Sequence, residues 1–171
     1  MHALEKEKSL QTMALKRVME TLLSLRSTEE LLDVSSVEKY RQRAIDFLWT
    51  YRHNDQLFLR SLKINGYHLH DDEYFFFEMA SHQPSPRSAY VMYSEADYYG
   101  FYYHIERRLY LLPTGDVQRF LMKKMHQYEM YNRALVDIDQ HIIVSGRSIP
   151  KKTLLHEVDH FHLFDANDIY M

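Results

Sequence analysis

Apolar and polar residues repeat along this chain in blocks of different period, and each block predicts an element. Over residues 2–27, Leu4, Leu10, Met13, Leu15, Val18, Met19, Leu22, Leu23 and Leu25 recur with charged residues between them. That spacing predicts a helix with one apolar stripe. Thr28, followed by Glu29-Glu30-Leu31-Leu32, reads as the N-cap of a short second helix. Ser35 or Ser36 caps a third that starts at Val37. Residues 1–43 thus form a helical layer for packing or dimerisation, and the stripe serves a homodimer or a sheet equally well.

Beyond Arg43 the period shortens. Ile45-Asp46-Phe47-Leu48-Trp49-Thr50-Tyr51 is aromatic and β-branched, hence strand-like. His53-Asn54-Asp55 reads as a turn, and Gln56-Leu57-Phe58-Leu59-Arg60-Ser61-Leu62-Lys63 as the returning strand. Asn65-Gly66 is a strong turn signal. Tyr74-Phe75-Phe76-Phe77-Glu78-Met79 is an apolar run broken by one acid, the pattern of a central strand buried on both faces.

After a polar loop with Pro84 and Pro86, Ala89-Tyr90-Val91-Met92-Tyr93 predicts a short strand. Residues 98–103 and 108–112 predict a hairpin around Glu106-Arg107. Thr114 caps a helix over residues 116–128, with Val117, Phe120, Leu121 and Met125 on one face. Residues 134–138 and 142–144 read as late strands, and Pro150 opens a last helix reaching about Phe161. The prediction is one α/β (α+β) domain over residues 1–171, a central mixed sheet with flanking helices. It divides into an N-terminal helical extension (1–43), a core (44–155) and a C-terminal helix end and tail (156–171).

Composition narrows the function classes. The chain has 171 residues, 46% of them hydrophobic, which supports one proper core and not comfortably two. Only 4 Gly and 4 Pro are present, which argues against a low-complexity chain. A net charge of -3 means that any nucleic-acid face is local. The absence of Cys excludes disulfides, Cys-ligated zinc and Cys nucleophiles. No apolar stretch is long enough to span a bilayer, and residues 1–6 lack the apolar run of a signal peptide. The cytoplasm is therefore the expected compartment, with no membrane partner. No Gly-rich phosphate loop occurs.

Magnesium-dependent phosphodiester cleavage needs carboxylates to hold the cation and a Lys to orient or activate water. Asp46, then Arg60 and Lys63, then Glu78 arrive in that order on successive predicted strands. The same layout continues through Ser94-Glu95-Ala96-Asp97-Tyr98-Tyr99, residues 109–113 ending in Pro113, the helix from Thr114 and Ser148-Ile149-Pro150. Over roughly residues 40–155 the chain resembles the PD-(D/E)XK, or restriction-endonuclease-like, superfamily, and most of all its small phage and mobile-element members.

The resemblance implies a restriction-endonuclease-like sheet. It also implies a nuclease-like site at Asp46, Glu78, Lys63 and Arg60, with Mg2+ on Asp46 and Glu78. That family's second strand places an acid or Gln two residues before its Lys. Here the position is Ser61 if aligned on Lys63 and Phe58 if aligned on Arg60, and a guanidinium cannot serve as a base. The resemblance therefore implies a nuclease fold with a depleted or altered site. Such a protein would bind nucleic acid or a protein partner, as a phage or mobile-element accessory or counter-defence factor. An active Mg2+-dependent DNA nuclease is the alternative. Without any resemblance, Asp46 pairs with Arg43 or Arg52, and Glu78 pairs with Arg60 or Lys63, because an unpaired acid in an aromatic strand is costly.

Two further features carry chemistry. His156-Glu157-Val158-Asp159-His160 matches H-E-x-x-H. On a helix, His156 and His160 would share a face around Zn2+ with Glu157 as base, the arrangement of a zinc hydrolase. The string resembles the peptide deformylase helix, but that family's Cys ligand is missing, so His141, Asp137 or Asp139 would have to complete the set. The plainer reading is a polar terminal helix. Finally, Tyr98, Tyr99, Tyr102 and Tyr103 with Arg107 and Arg108 predict a stacking surface or protein interface.

Overall fold

The computed structural model describes residues 2–65, 73–81, 90–137 and 140–166; of these, the side chains of 2–11, 80–81 and 131–144 are not described. The helices are α1 (His2–Ser24), α2 (Glu38–Arg41), α3 (Tyr90–Tyr93), α4 (Thr114–Lys124) and α5 (Lys151–Glu157). The strands are β1 (Thr28–Asp33), β2 (Phe47–His53), β3 (Gln56–Asn65), β4 (Tyr74–Ser81), β5 (Tyr98–Tyr103), β6 (Arg108–Pro113), β7 (Met130–Asp137), β8 (Gln140–Pro150) and β9 (His162–Asp165). They form a six-stranded sheet, β1-β2-β3-β5-β6-β9, and a three-stranded sheet, β4-β8-β7. Only β3 and β5 pair in parallel in the larger sheet. The architecture is α+β, a mixed sheet flanked by helices with an N-terminal helix.

Side chains alternate across the larger sheet, so each of its faces builds its own core. On one face, Phe47, Trp49, Leu62, Ile64, Tyr102, Leu109 and Leu111 pack against Val18 and Leu22 of α1. On the other, Tyr99, Phe101, Tyr103, Tyr110 and Leu112 meet Phe75, Phe77 and Ile149 of the smaller sheet, with Val117, Phe120 and Leu121 of α4. Asn65 Nδ2 donates to the Phe76 carbonyl at 3.1 Å and ties β3 to β4. The strand carrying Glu78 is therefore not part of the central sheet, as its apolar run suggested, but a strand of the second sheet packed on it.

Several elements differ from the sequence expectation. Residues 28–33 are an edge strand, not a helix. Thr28 does act as a capping hydroxyl, but for the helix behind it: its Oγ1 donates to the Leu22 carbonyl at 2.6 Å and accepts from Trp49 Nε1 at 3.0 Å. Residues 90–93 are a helical turn, not a strand. Gln118 Nε2 of α4 donates to the carbonyls of Val91 (2.9 Å) and Ser94 (3.0 Å), satisfying groups that the short helix leaves open. The last helix stops at Glu157. Val158 is extended and buried, and the chain then forms β9, with His162 opposite Leu111 and Phe164 opposite Leu109. Within 156–171, His156 and Glu157 end α5 and residues 162–165 form a strand, while 167–171 lie outside the described residues.

Gly146 shows how tightly β8 approaches β4. A Cβ there would collide with the Phe77 carbonyl oxygen and would lie 2.5 Å from Phe76 Cζ. Gly146→Ala is expected to cost about 2–3 kcal/mol as overpacking, read as a lower midpoint in urea. An unchanged midpoint would mean that the two strands do not meet at this register.

Candidate nucleic-acid site at Asp46 and Lys63

Asp46 immediately precedes β2, and its main chain is clamped between neighbours. Its N–H donates to the Leu62 carbonyl at 2.7 Å, and its own carbonyl accepts from Val34 N–H at 2.8 Å. The carboxylate is then held from two directions. Lys63 Nζ lies 3.1 Å from both Oδ1 and Oδ2, and the Ile64 N–H donates to Oδ2 at 2.7 Å. The two side chains are only 7% and 6% exposed. The Lys63 ammonium also lies 4.7 Å from the Tyr90 ring centroid. Arg43 and Arg52 are not partners of Asp46: Arg43 bonds Glu95 at 2.6 Å and Arg52 bonds Glu29 at 2.8 Å.

The position two residues before Lys63 is a hydroxyl with another task. Ser61 N–H and Oγ donate to Asp97 Oδ2 at 2.7 and 3.0 Å, and the Asp97 N–H returns a bond to Ser61 Oγ at 3.0 Å. This clamp stands where β3 and β5 begin their parallel pairing, next to Leu62 opposite Tyr98. Ser61 therefore aligns strands and contributes no carboxylate.

Glu78 approaches from the other sheet. It is half-buried on β4 and has interactions of its own. Its charge is felt at Tyr99, where burial pushes the phenol well above its usual range, with Glu78 and then Asp46 adding to the shift. Asp46 and Lys63 are thus in direct contact, whereas Glu78 stands on β4 of the other sheet. Arg60 does not join them. One residue out of phase with Ser61 and Lys63, its side chain takes the opposite face of β3. There its guanidinium lies 5.6 Å from the Phe58 ring centroid.

Over the ion pair opens a cleft of about 650 Å³, lined by Asp46, Lys63, Tyr90, Tyr93, Arg41 and Ser36 among others. It offers two phenol rings, a guanidinium bonded to Glu38 and an ammonium bonded to Asp46. Tyr90 could be suspected from the sequence only as one of many tyrosines, because its helical turn depends on α4.

The other candidate residues are dispersed. His156 belongs to α5, whereas His160 lies beyond the helix in a left-handed turn with φ 57°. They do not share a helix face. Glu157 bonds Lys124 at 2.5 Å, and that ammonium holds its carboxyl below the ordinary value. Asp139 lies outside the described residues, as do the side chains of Asp137 and His141. Among the described residues, no three His, Asp or Glu side chains gather as a metal-binding group. Among the described residues, Lys63 holds Asp46, Ser61 is bonded to Asp97, and His156 and His160 do not share a helix face.

The expected aromatic surface is largely core. Tyr99, Tyr102 and Tyr103 are buried and Tyr98 is half-buried. Alternation along β5 sends these rings to the two cores. Arg107 is exposed, and Arg108 bonds Asp165 at 3.0 Å. No helix among the described residues is long and apolar enough to cross a membrane. Comparison with protein-family models, with curated proteins and with solved structures returns no match.

Proposed function

We propose that this chain is a nuclease-like scaffold that binds nucleic acid at the Asp46–Lys63 cleft without cutting it. The observation that carries this reading is the ammonium of Lys63 bonded to both oxygens of Asp46. A hard divalent cation needs several oxygen ligands at about 2.0–2.6 Å. Here the first carboxylate is neutralised by Lys63, and the position that would supply a second ligand on β3 is Ser61, bonded to Asp97. Glu78 stands on a separate sheet. Cation binding would have to displace Lys63 from a buried pair.

What remains is recognition chemistry. Tyr90 and Tyr93 offer rings on which a base can stack, and Arg41 would meet a phosphate by exchanging its bond to Glu38. A phage or mobile-element accessory role is what the resemblance to PD-(D/E)XK proteins adds to this reading. The test combines a cleavage assay and a binding assay on labelled DNA with Mg2+ or Mn2+. Binding without cleavage, weakened in Tyr90→Ala, is expected. Cleavage that vanishes in Glu78→Ala would overturn the proposal in favour of an active nuclease. Capture of a single protein partner with no DNA binding would move the function to protein recognition.

A further inference from the structure

Two segments far apart in the chain line the cleft. Arg41, Ala44 and Asp46 come from the stretch before β2, and Tyr90 and Tyr93 come from α3. The strip that follows α3, Ser94-Glu95-Ala96-Asp97, reaches from one segment to the other. The Glu95 N–H donates to the Arg43 carbonyl at 3.0 Å, and the Arg43 guanidinium bonds the Glu95 carboxylate at 2.6 Å. Ala96 packs with Val34 and Ile45 in a small buried cluster.

Ser94 is the junction of this strip, and it is only 5% exposed. Its Oγ donates to the Ala44 carbonyl at 2.9 Å and accepts from the Ala96 N–H at 3.2 Å. Its N–H donates to the Tyr90 carbonyl at 2.8 Å and closes the α3 turn. Its carbonyl accepts from Gln118 Nε2 of α4 at 3.0 Å, and the same amide reaches the Val91 carbonyl at 2.9 Å. One residue is thus bonded to both lining segments and, through Gln118, to α4.

The Ala44 end of this contact is strained. Ala44 is 2% exposed and has φ 50°. A residue with a Cβ is disfavoured in the left-handed region and persists there only when its surroundings hold it. The Ser94 hydroxyl is one of the groups that hold it, two residues ahead of the Asp46 carboxylate. At the other end, the Tyr90 ring centroid stands 4.7 Å from the Lys63 ammonium, which is bonded to Asp46. Ser94 therefore closes a ring of contacts that runs from Tyr90 through Lys63 and Asp46 to Ala44 and back.

From this geometry we propose that Ser94 is a positioning residue for the cleft: its hydroxyl fixes the α3 turn against the 44–46 segment and so sets where the Tyr90 ring stands over Lys63. The effect on DNA rests on the reading of the cleft as a nucleic-acid site, whereas the effect on Lys63 needs no ligand. A serine suits this place because one oxygen both donates to the Ala44 carbonyl and accepts the Ala96 N–H. An alanine would leave both groups without that partner.

The experiment uses the full chain and reads two quantities, the NMR resonances of the Lys63 side chain and the affinity for a short labelled DNA. Protons held over an aromatic face resonate away from their ordinary position, so the Lys63 methylene next to the ammonium reports where Tyr90 stands. Ser94→Ala is expected to move that resonance towards its ordinary value. It should also weaken DNA binding about tenfold, the loss expected when one stacking ring is displaced. Ser94→Thr keeps the hydroxyl and should restore both. Gln118→Ala loosens the same turn from α4, should move the resonance in the same direction, and carries the test where Ser94→Ala does not fold. Leu109→Ala weakens the fold from the α1-facing core and should move the resonance in no direction. A Lys63 resonance unmoved in Ser94→Ala and Gln118→Ala, or moved as far in Leu109→Ala, overturns the positioning role. If binding is nevertheless lost in Tyr90→Ala, the cleft reading still stands. A resonance that moves while Ser94→Ala and Tyr90→Ala both bind DNA as the parent does supports the positioning role and removes the cleft reading.

Discussion

Asp46→Asn is expected to destabilise the fold by about 3–5 kcal/mol, because it leaves the buried Lys63 ammonium without its counter-charge. For a chain of this size that corresponds to a fall in Tm of roughly 6–20 °C. The substitution isolates charge from shape. Asn is close to isosteric, and its side-chain oxygen can still accept the Ile64 N–H that now bonds Oδ2 at 2.7 Å. What it removes is the anion between two side chains only 7% and 6% exposed.

The Tyr90 ring at 4.7 Å offsets only part of that loss, since a cation–π contact contributes about 0.5–2 kcal/mol. Adding Lys63→Met should recover much of the stability, because an apolar replacement of both partners leaves no charge to desolvate. Thermal melts of the single and double variants measure both effects. An Asp46→Asn protein that melts with the parent would show that the pair is not buried as described.

Phe77→Ala is the second large effect, about 3–5 kcal/mol for emptying the space of a fully buried ring. Phe77 is 0% exposed and stands edge-on to Phe101 at 5.3 Å and 85°. It also lies 6.3 Å from Tyr99. These contacts join the smaller sheet to the larger one, so the loss should be uneven. Amide hydrogens of β4 and β8 should exchange much faster, while those of β2 and β3 change least. Uniform acceleration across both sheets would show instead that the two behave as one cooperative unit. A destabilisation below about 1 kcal/mol would mean that the cavity collapses or that Phe77 is not the joint.

The parts of this architecture legible in the sequence are those whose signal is local. The β2–β3 hairpin is readable from His53-Asn54-Asp55, because Asn and Asp tolerate the left-handed backbone that the turn adopts, with φ 48° and 61°. The β5–β6 hairpin and the α4 face of Val117, Phe120 and Leu121 come from period alone. So does the order of Asp46, Lys63 and Glu78 along the chain.

The misread parts are those whose state depends on distant residues. Thr28–Asp33 carries a helix-like Glu-Glu-Leu-Leu string, yet it pairs with β2 and places Leu31 opposite Trp49. Residues 162–165 form a strand because β6 offers a row of backbone groups to pair with. Arg60 and Lys63 look interchangeable as candidates. Strand alternation assigns them to opposite faces, but only the pairing of β3 with β2 and β5 says which face meets Asp46.

The sequence by itself determined an α+β fold class with its hairpins, the absence of Cys chemistry, and the order of Asp46, Lys63 and Glu78 along the chain. Tertiary structure alone decided that Lys63 takes both oxygens of Asp46, that Ser61 is bonded to Asp97, and that Glu78 rides on a second sheet. The reason is physical. Period and turn chemistry act within a few residues, whereas a buried charge finds its partner only after strands far apart in the chain have chosen their register.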